Sequence, residues 1–524
     1  MKIAKSVDSN KPNSTNINNP KQAQAIAESM DKMAQQLKDS IRCAVQAGES
    51  FDKTERFVRE TLARIGFQAM QLFIQCQGNG DLGTEIQVEN EKVLKRSQTP
   101  TSTTIRSVFG LHRFEQFTYA PGAKKAIELR PISARMSLPE RQWSFLLQEF
   151  SQMFCVDQAY EQSMKNLESI FGGSFAVDTA EQINGQMGRA AGQFVEDLPK
   201  PDPATEGKLL VASADCKGVP LVKEDTPKVL PFETAKKRPG NRRMATVASV
   251  YSVEPNIRTA EEVTAALFRD DRDPDSIQPN RPKPMNKNTT AHFPCLEDNG
   301  DGTQVPISGI VVAMAWIIGQ IDLRRRIGQV LIVIMDGQES LWDAVKMSLT
   351  FGARTVAVLD ILHALSYIWQ AAALFEKTDD ARKAFTRERL LRILRGEATG
   401  VIRGLRRLGA IRKLSGNSLT ELKRICGYLE NNADRMKYDE YLRRGYPIAS
   451  GVIEGACRHL VKDRMERSGM RWTLEGARSM LNLRAVFQSD HWSTFLRQNK
   501  ESETRRVHVH CGILSEYEPL TIAC

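Results

Sequence analysis

Several features that would place a protein in a specialised class are missing from these 524 residues. The nine cysteines are scattered and form no C-x-x-C pair, which argues against a disulfide framework or a zinc ribbon and indicates a reducing compartment. The first ten residues, MKIAKSVDSN, lack the apolar core of a secretory signal. The most apolar run, residues 307–321, is short for a membrane span. We therefore expect a cytoplasmic protein that does not cross a membrane.

Positive charge is in modest excess. The chain has 73 Lys and Arg against 63 Asp and Glu, a formal net charge of +10. This excess favours an anionic partner such as nucleic acid, although an ordinary basic globular protein has the same balance. With 41% hydrophobic and 26% charged residues, the composition is that of a folded protein long enough for several domains.

Two short apolar runs each end in an aspartate. Val330–Met335 precedes Asp336, and Thr355–Leu359 precedes Asp360. Runs rich in Val and Ile are typical of strands buried on both faces, and residues 340–349 between them suit a crossover helix. We therefore predict two adjacent parallel strands whose carboxyl ends place both aspartates at one edge of a sheet. Either aspartate could instead only cap the helix that follows it.

More strands are expected upstream. Residues 209–214 and 219–222 predict a hairpin with Asp215 at its bend, and residues 244–253 predict a third strand. Residues 255–305, rich in Pro, Asp and Asn, predict an insertion that is largely loop. With a buried helix at 307–323, the order becomes β, β, β, α, β, α, β. Three antiparallel strands followed by crossover strands form the layout of an RNase H-like α/β fold.

Two helices joined by a tight turn precede the sheet. They are predicted at residues 158–171 and 179–195, with the turn GGSF between them. The pattern is typical of a helix-turn-helix and also of a plain helical hairpin. The second helix carries four side chains suited to base edges: Gln182, Asn184, Gln186 and Arg189.

The segment after the second strand–aspartate pair is helical and rich in arginine. Its predicted apolar stripe consists of Leu390, Leu394, Val401, Leu405 and Leu408. The charged face opposite the stripe could be merely solvated or could face phosphates, and the pattern favours neither. Beyond it, SGVIEGACRHLVKDRMERSGMRW predicts a helix starting near Val452 with Glu454 in its first turn. Arg458 and Lys462 follow at four-residue steps on the face of Glu454, and Arg464, Arg467 and Arg471 add charge.

Three acids occupy places from which they could meet. Asp215, Asp336 and Glu454 lie 336 − 215 = 121 and 454 − 336 = 118 residues apart, so only a fold could unite them. Phosphodiester hydrolysis and strand transfer are served by two divalent ions about 3.5–4 Å apart, and Mg²⁺ prefers oxygen ligands. We favour Asp336 over Asp360 as the second acid, because Gly337 leaves room for a metal and a DNA backbone.

Asp360 and His363 form a D-x-x-H pair. At helical spacing their side chains share one face. The histidine could position water, bind a DNA phosphate or hold the structure together.

Together the segments ADCKG, VIMDG, LDILHAL, SGVIEGACRHLVKDRMERSGMRW and LNLRA resemble bacterial insertion-sequence transposases of the DDE class. The resemblance is to the Kra-type group, related to Mutator-like transposases, and covers roughly residues 140–490. It implies an RNase H-like core with a helical insertion, preceded by a mainly helical DNA-binding region. It also implies that Asp215, Asp336 and Glu454 bind Mg²⁺ as a pair of ions, with Mn²⁺ as substitute. Asp360 and His363 then match the second motif pair.

We accordingly expect seven segments along the chain. They are a disordered tail (1–22), a helical and small β region (23–135), a helix-turn-helix-like DNA-binding region (136–198), the first part of the core (199–374), a helical basic insertion (375–445), the final core helix (446–493) and a C-terminal tail (494–524).

The resemblance also implies a reaction and its partners. The protein would cut the ends of a mobile element and join the freed 3′ hydroxyl to target DNA, near the bacterial nucleoid. Its partner would be double-stranded DNA, as terminal inverted repeats and as target, and paired-end cutting implies a homo-oligomer. Phosphate and base contacts are expected from Arg458, Lys462, Arg464, Arg467, Arg471, Arg189 and Gln186. Alternatives are an RNase H-like nuclease without strand transfer and a non-catalytic, domesticated DNA-binding relative.

Overall fold

The computed structural model describes residues 20–88, 92–225, 240–269, 281–298, 300, 302–350, 354–467 and 469–520. The chain divides into two compact units, the first comprising Met1–Ile183 with Leu496–Cys524 and the second Asn184–Phe495. Most of the predicted tail, residues 1–19, lies outside the described residues, and residues 20–22 already belong to the first helix. The seven predicted segments remain predictions.

The described part of the first unit begins with two long helices that pack against each other, followed by short strands and four more helices. The elements up to the unit boundary are α1 (Pro20–Ala47), α2 (Phe51–Gln75), β1 (Glu85–Gln87), β2 (Val93–Arg96), β3 (Thr101–Ser107), β4 (Gly110–Gln116), β5 (Tyr119–Ala120), α3 (Pro131–Arg135), α4 (Phe145–Cys155), α5 (Tyr160–Phe171) and α6 (Val177–Glu196). Strands β1, β2 and β5 form one antiparallel sheet, and β3 pairs with β4. The small β element expected in this region is therefore present.

The predicted helix pair after this β element corresponds to α5 and α6. The Gln152 side chain of α4 donates to the Ala180 carbonyl of α6 at 3.1 Å, which ties these helices together. Asn184 is 1% exposed, so the prediction that it reads base edges is wrong. Gln182 accepts a hydrogen bond from Arg141 at 2.7 Å, while Arg189 is exposed and Gln186 is half-buried.

The second unit is built on a five-stranded mixed sheet. Its elements up to the last strand are β6 (Leu209–Pro220), β7 (Arg242–Val253), α7 (Ala260–Phe268), β8 (Met285–His292), β9 (Cys295–Asp298), β10 (Gln304–Ile307), α8 (Gly309–Arg324), β11 (Val330–Met335), α9 (Glu339–Ser348) and β12 (Thr355–Leu359). The strand order is β12-β11-β6-β7-β8, and β9 and β10 form a separate hairpin. Strands β6, β7 and β8 are antiparallel neighbours, whereas β11 runs parallel to both β6 and β12.

Two expectations about this sheet are wrong. The predicted hairpin around Asp215 is a single strand, because β6 continues to Pro220 and pairs with β7 along its whole length. The stretch 255–305 is not largely loop in its described parts, because it contributes α7, β8, β9 and β10. The third antiparallel strand is thus β8, while the predicted strand at 244–253 is β7, the second.

In the described chain, nine α-helices and one wider helical turn complete the second unit, and the last helix runs across the unit boundary. They are α10 (Ile361–Phe375), α11 (Asp379–Leu394), α12 (Ala398–Ile411), α13 (Gly416–Asn431), α14 (Tyr438–Arg443), α15 (Gly451–Ala456), a π-helical turn (Cys457–Lys462), α16 (Asp463–Met465), α17 (Leu474–Gln488) and α18 (Trp492–Val507). Within the described chain, none of these or the other helices has the length and apolar character needed to cross a membrane.

Helices α11 to α14 lie within the predicted helical insertion (375–445), here called the insertion, and share an apolar core with α10. Its predicted stripe is confirmed as core, since Leu390, Leu394 and Leu405 are fully buried and Val401 is nearly so. The hydroxyls of Tyr438 and Tyr441 donate to carbonyls of β12 at 2.9 and 3.0 Å. These bonds and the shared apolar core attach the insertion to the edge strand of the sheet, which protects that edge.

Many arginines of the insertion have carboxylate partners. Arg406 donates to Glu430 at 3.1 Å, Arg392 to Glu397 at 2.8 Å, and Arg424 to Glu421 at 2.9 Å. Arg389 lies over the Phe385 ring. The sequence left two roles open for this charged face, which could be merely solvated or could face phosphates. The ion pairs within the insertion indicate that these arginines belong to a solvated, internally paired face.

Candidate active site

Three aspartates lie side by side at the carboxyl edge of the sheet. Asp215, Asp336 and Asp360 each follow directly after residues that are in register across β6, β11 and β12. Adjacent strands are about 4.8 Å apart, so the three positions are immediate neighbours. The prediction that Asp336 and Asp360 share one sheet edge is confirmed, and the register adds Asp215 to the same row.

Asp336 is partly buried and receives little compensation for its charge. Its Oδ1 accepts one hydrogen bond, from the backbone N–H of Gln338 at 3.0 Å. Burial, and then the neighbouring Asp215 and Asp360 carboxylates, raise the pKa of Asp336, while the Gln338 hydrogen bond and His363 act in the opposite direction. A carboxylate in this position gains from a nearby cation.

Gly337 has a different role from the one that we predicted. A Cβ at this position would collide with the ring of Tyr428, whose hydroxyl accepts a hydrogen bond from the Gly337 N–H at 3.1 Å. The missing side chain therefore makes room for α13 of the insertion. The expectation that it leaves space for a metal and DNA is wrong.

Asp360 contrasts with Asp336, because its carboxylate is fully buried and enclosed by donors. Oδ1 accepts from the backbone N–H groups of Leu362 and Ser450, both at 3.1 Å. Oδ2 contacts the Ser450 hydroxyl at 2.6 Å and His363 Nδ1 at 2.8 Å. An ionised carboxylate offers about four acceptor sites, so these partners occupy all of them. The helix-capping alternative is confirmed for Asp360, which caps α10.

His363 is oriented by that carboxylate. Its Nδ1 faces Asp360, so the ring presents Nε2 on its other side. The hydrogen bond to Asp360 raises the pKa of His363, burial opposes the rise, and the charges of Asp360, Asp336 and Asp215 add to it. The imidazole is therefore held in one orientation by Asp360, and the charges of the other two aspartates act on it.

Glu454 approaches the row from the first turn of α15. Burial, and then the charges of Asp360 and Asp215, raise the pKa of Glu454, while His363 opposes the rise. Among the described residues, no hydrogen-bond donor contacts its carboxylate. Ligand atoms of Asp360, His363 and Glu454 lie within 4.8 Å of one another. The acid predicted from the late helix thus does reach the sheet edge.

Asp215 is held by two donors of unequal strength. Its Oδ1 accepts from the backbone N–H of Cys216 at 2.7 Å, and its Oδ2 accepts from the thiol of Cys457 at 3.3 Å. Sequence reasoning missed Cys457, although its spacing of three from Glu454 places both on one helical face. It also missed Ser450, for which the sequence contains no comparable indication.

The donor set fits a divalent cation with oxygen ligands. Distance alone groups Asp360 with His363 and Glu454, but the oxygens of Asp360 are already occupied. Free acceptor sites remain on Asp215, Asp336 and Glu454, and a carboxylate-bound imidazole can add Nε2. Among the described residues, none of the four crowded carboxylates forms an ion pair with an arginine or lysine, and carboxylate oxygens are the ligands that Mg²⁺ and Mn²⁺ prefer.

The predicted phosphate-binding cations are placed differently from one another. Arg458 and Lys462 are exposed and both lie within the π-helical turn, and their placement on the face of Glu454 stays a prediction. Arg467 and Arg471 are also exposed. Arg464 is fully buried with its guanidinium over Trp472, so the prediction that it binds DNA is wrong.

Comparisons with known proteins add little to this geometry. No model of a protein family matches the chain, and no curated protein matches it significantly. Among solved structures it is similar to the Drosophila P element transposase strand transfer complex, with 10% sequence identity and a TM-score of 0.22, over 71% of this chain and 88% of that one. A likeness at this level does not assign a family or a function.

Proposed function

We propose that this protein is a DDE-type DNA transposase, which cleaves DNA at the ends of a mobile element and transfers the strand into target DNA. The observation that carries the proposal is the convergence of Asp215, Asp336 and Glu454, from three distant parts of the chain, at one sheet edge. Each keeps free acceptor sites, and two of them have raised pKa values because of burial and like charge. Such a cluster is suited to bind metal ions rather than to stabilise the fold.

The sheet topology supports the same proposal. Three antiparallel strands followed by two parallel crossover strands, in the order β12-β11-β6-β7-β8, agree with an RNase H-like core. The helical insertion lies between α10 and α15, before the final acid, as the family resemblance implies. The four short segments that contain the resembling acids are the ones that meet at this edge.

We assign the metal ligands to Asp215, Asp336 and Glu454, and give Asp360 the task of positioning His363. Bound Mg²⁺ or Mn²⁺ ions, two in this class of reaction, would activate the attacking oxygen and stabilise the leaving oxygen. His363 Nε2 would contact the same centre or a phosphate beside it. The saturated hydrogen bonding of Asp360 favours Asp336 as the second acid of the triad.

Double-stranded DNA is the proposed partner. The exposed cations Arg458, Lys462, Arg467 and Arg471 follow Glu454 closely in the chain and would bind phosphates. Arg189 and Gln186 of α6 would contact the terminal repeats. Cutting two ends in one event calls for more than one copy of the site, so we propose a homo-oligomer acting at the bacterial nucleoid.

A cleavage and strand-transfer assay tests the proposal. The full chain would be incubated with Mg²⁺ or Mn²⁺ and DNA carrying the ends of its element, beside Glu454→Gln and the control Glu421→Gln. Glu421 is a surface acid of the insertion that pairs with Arg424. We expect cut and joined products from the wild type and the control but not from Glu454→Gln. Cut products without joining would indicate a nuclease, and binding without any chemistry would indicate a non-catalytic relative.

A further inference from the structure

We infer that Cys457 is a positioning residue, which orients the Asp215 carboxylate for cation binding. The inference rests on the metal site of the proposed function. The Cys457 side chain is 6% exposed, and its Sγ donates to Asp215 Oδ2 at 3.3 Å. No other side chain donates to Asp215 in the part of the chain that the structure describes.

The backbone around Cys457 is fixed in an unusual conformation. Cys457 begins the π-helical turn, which directly follows the short helix that carries Glu454. The buried Arg484 of α17 donates from Nε to the Leu460 carbonyl inside this turn at 2.8 Å. Single π-helical turns occur often at functional sites, where they change the direction of side chains. Here the turn lies against β6, the strand that carries Asp215.

Cys457 therefore connects two of the proposed ligands. Through its backbone it lies three residues after Glu454, and through its thiol it contacts Asp215. The segments that carry these acids come together from opposite ends of the second unit, and the thiol–carboxylate hydrogen bond is a direct link between them. A shift of the π-helical turn would move Glu454 and release Asp215 at the same time.

The chemistry of a thiol suits this position. The Cys216 N–H holds one oxygen of Asp215 and the Cys457 thiol holds the other, so the plane of the carboxylate is set from both sides. One acceptor site remains on each oxygen. A thiol is a weak donor, so it orients the carboxylate while withdrawing little of the negative charge that a cation needs.

A role in packing alone leads to a different expectation. If the side chain only fills space, Cys457→Ala and Cys457→Ser differ little in their effect on the cation, and both act through stability. If the donor matters, serine restores the hydrogen bond and alanine does not. The pair of variants therefore separates the two roles.

The experiment measures Mn²⁺ binding to the full chain by electron paramagnetic resonance of the free ion, without DNA, together with thermal unfolding. Removing a group that orients a metal ligand typically costs 10–100-fold in affinity. We expect a loss of about that size in Cys457→Ala, and affinity within about threefold of wild type in Cys457→Ser. The control is Cys426→Ala, which removes a fully buried thiol in the insertion.

Each outcome decides the inference. Wild-type affinity in Cys457→Ala, or equal losses in the alanine and serine variants, would overturn it. A wild type that binds no Mn²⁺ would overturn both the inference and the metal site on which it rests. Mn²⁺ binding that depends on Cys457, in a protein that neither cuts nor joins DNA, would support the inference and contradict the proposed function.

Discussion

Charged side chains are arranged in opposite ways at the sheet edge and in the helical insertion. At the edge, Asp215, Asp336, Asp360 and Glu454 crowd together, and burial and mutual repulsion raise the pKa values of two of them. In the insertion, surface arginines pair with nearby carboxylates above a layer of fully buried leucines. The insertion is thus organised for stability. Keeping negative charges close together at the edge lowers the stability of the fold, and such an arrangement is what a cation-binding site requires.

The same contrast exists within the edge, between two aspartates on adjacent strands. Asp360 has four hydrogen-bond partners and is fully buried, whereas Asp336 has one and is partly open. Both follow apolar strands and both precede helices. Their surroundings differ because Ser450 and His363 contact Asp360, whereas Asp336 keeps free acceptor sites.

The largest expected effect is that of Asp336→Asn on catalysis. The change removes a proposed metal ligand, and we expect DNA cleavage to fall on the order of a thousandfold or more, as when one member of a catalytic unit is removed. Because burial and neighbouring acids raise the pKa of Asp336, removing its charge should leave the free energy of unfolding unchanged or increased at pH 7. Cleavage rates and urea unfolding measure the two effects.

Asp343→Asn is the matched control, since this aspartate lies on the next helix and its side chain is 55% exposed. It should cleave DNA at the wild-type rate. Cleavage by Asp336→Asn near the wild-type rate would remove Asp336 from the site and return attention to Asp360.

In contrast to Asp336→Asn, Leu405→Ala in the insertion is expected to lower the free energy of unfolding. Leu405 is fully buried in the core shared with α10, and truncating such a side chain costs about 2–5 kcal/mol of unfolding free energy. The midpoint of urea unfolding should fall accordingly. The control is Arg406→Gln, next to it on the exposed face of α12, which should change the midpoint little because exposed ion pairs contribute little. Equal losses in both variants would contradict the contrast between the two regions.

The strands that end just before Asp336 and Asp360 were predictable from the sequence to the residue. Val330–Met335 is an uninterrupted apolar run, Thr355–Leu359 is apolar after its first residue, and strands buried on both faces need such runs. The insertion was predictable as helical for a similar reason, because its buried positions recur at helical spacing.

Strand β8 could not be found in this way, because its sequence, MNKNTTAH, is polar. Its buried polar groups find partners far along the chain. Asn288 donates to Gln320 at 2.9 Å, and the Thr289 N–H donates to Ser489 at 2.9 Å. Hydrophobic periodicity in the sequence reveals buried apolar residues, but it does not reveal hydrogen bonds between residues that are distant along the chain.

Strand β6 was cut short in the prediction for a related reason. Cys216, Lys217 and Gly218 are typical of a turn, yet all three continue the antiparallel pairing with β7. Extended pairing with a partner strand outweighed local propensity there. Asp215 and Asp336 are neighbours because of the register between strands that are distant in the sequence. Cys457 approaches Asp215 because of the π-helical turn. Local sequence specifies neither the register nor this turn.

The smallest expected effect concerns the pH dependence of stability through His363. Its hydrogen bond to Asp360 raises the pKa of His363 above 6.5, with support from the Asp336 and Asp215 charges. The folded state therefore binds the proton more tightly than the unfolded state does. The resulting stabilisation is complete below pH 6.5 and is lost as the pH rises through the folded pKa.

We expect the unfolding temperature of metal-free wild type to fall relative to that of His363→Gln as the pH rises from below 6.5 to about 8. The effect should be smaller than that of Leu405→Ala, because the His363 side chain is 38% exposed and solvent screens its charge. The control is His459→Gln, an exposed histidine that contacts Asp463. If the pH profiles of wild type and His363→Gln are parallel, Asp360 fixes the orientation of the ring but does not stabilise its positive charge. The raised pKa values of the acids would then be the remaining electrostatic difference between the sheet edge and the insertion.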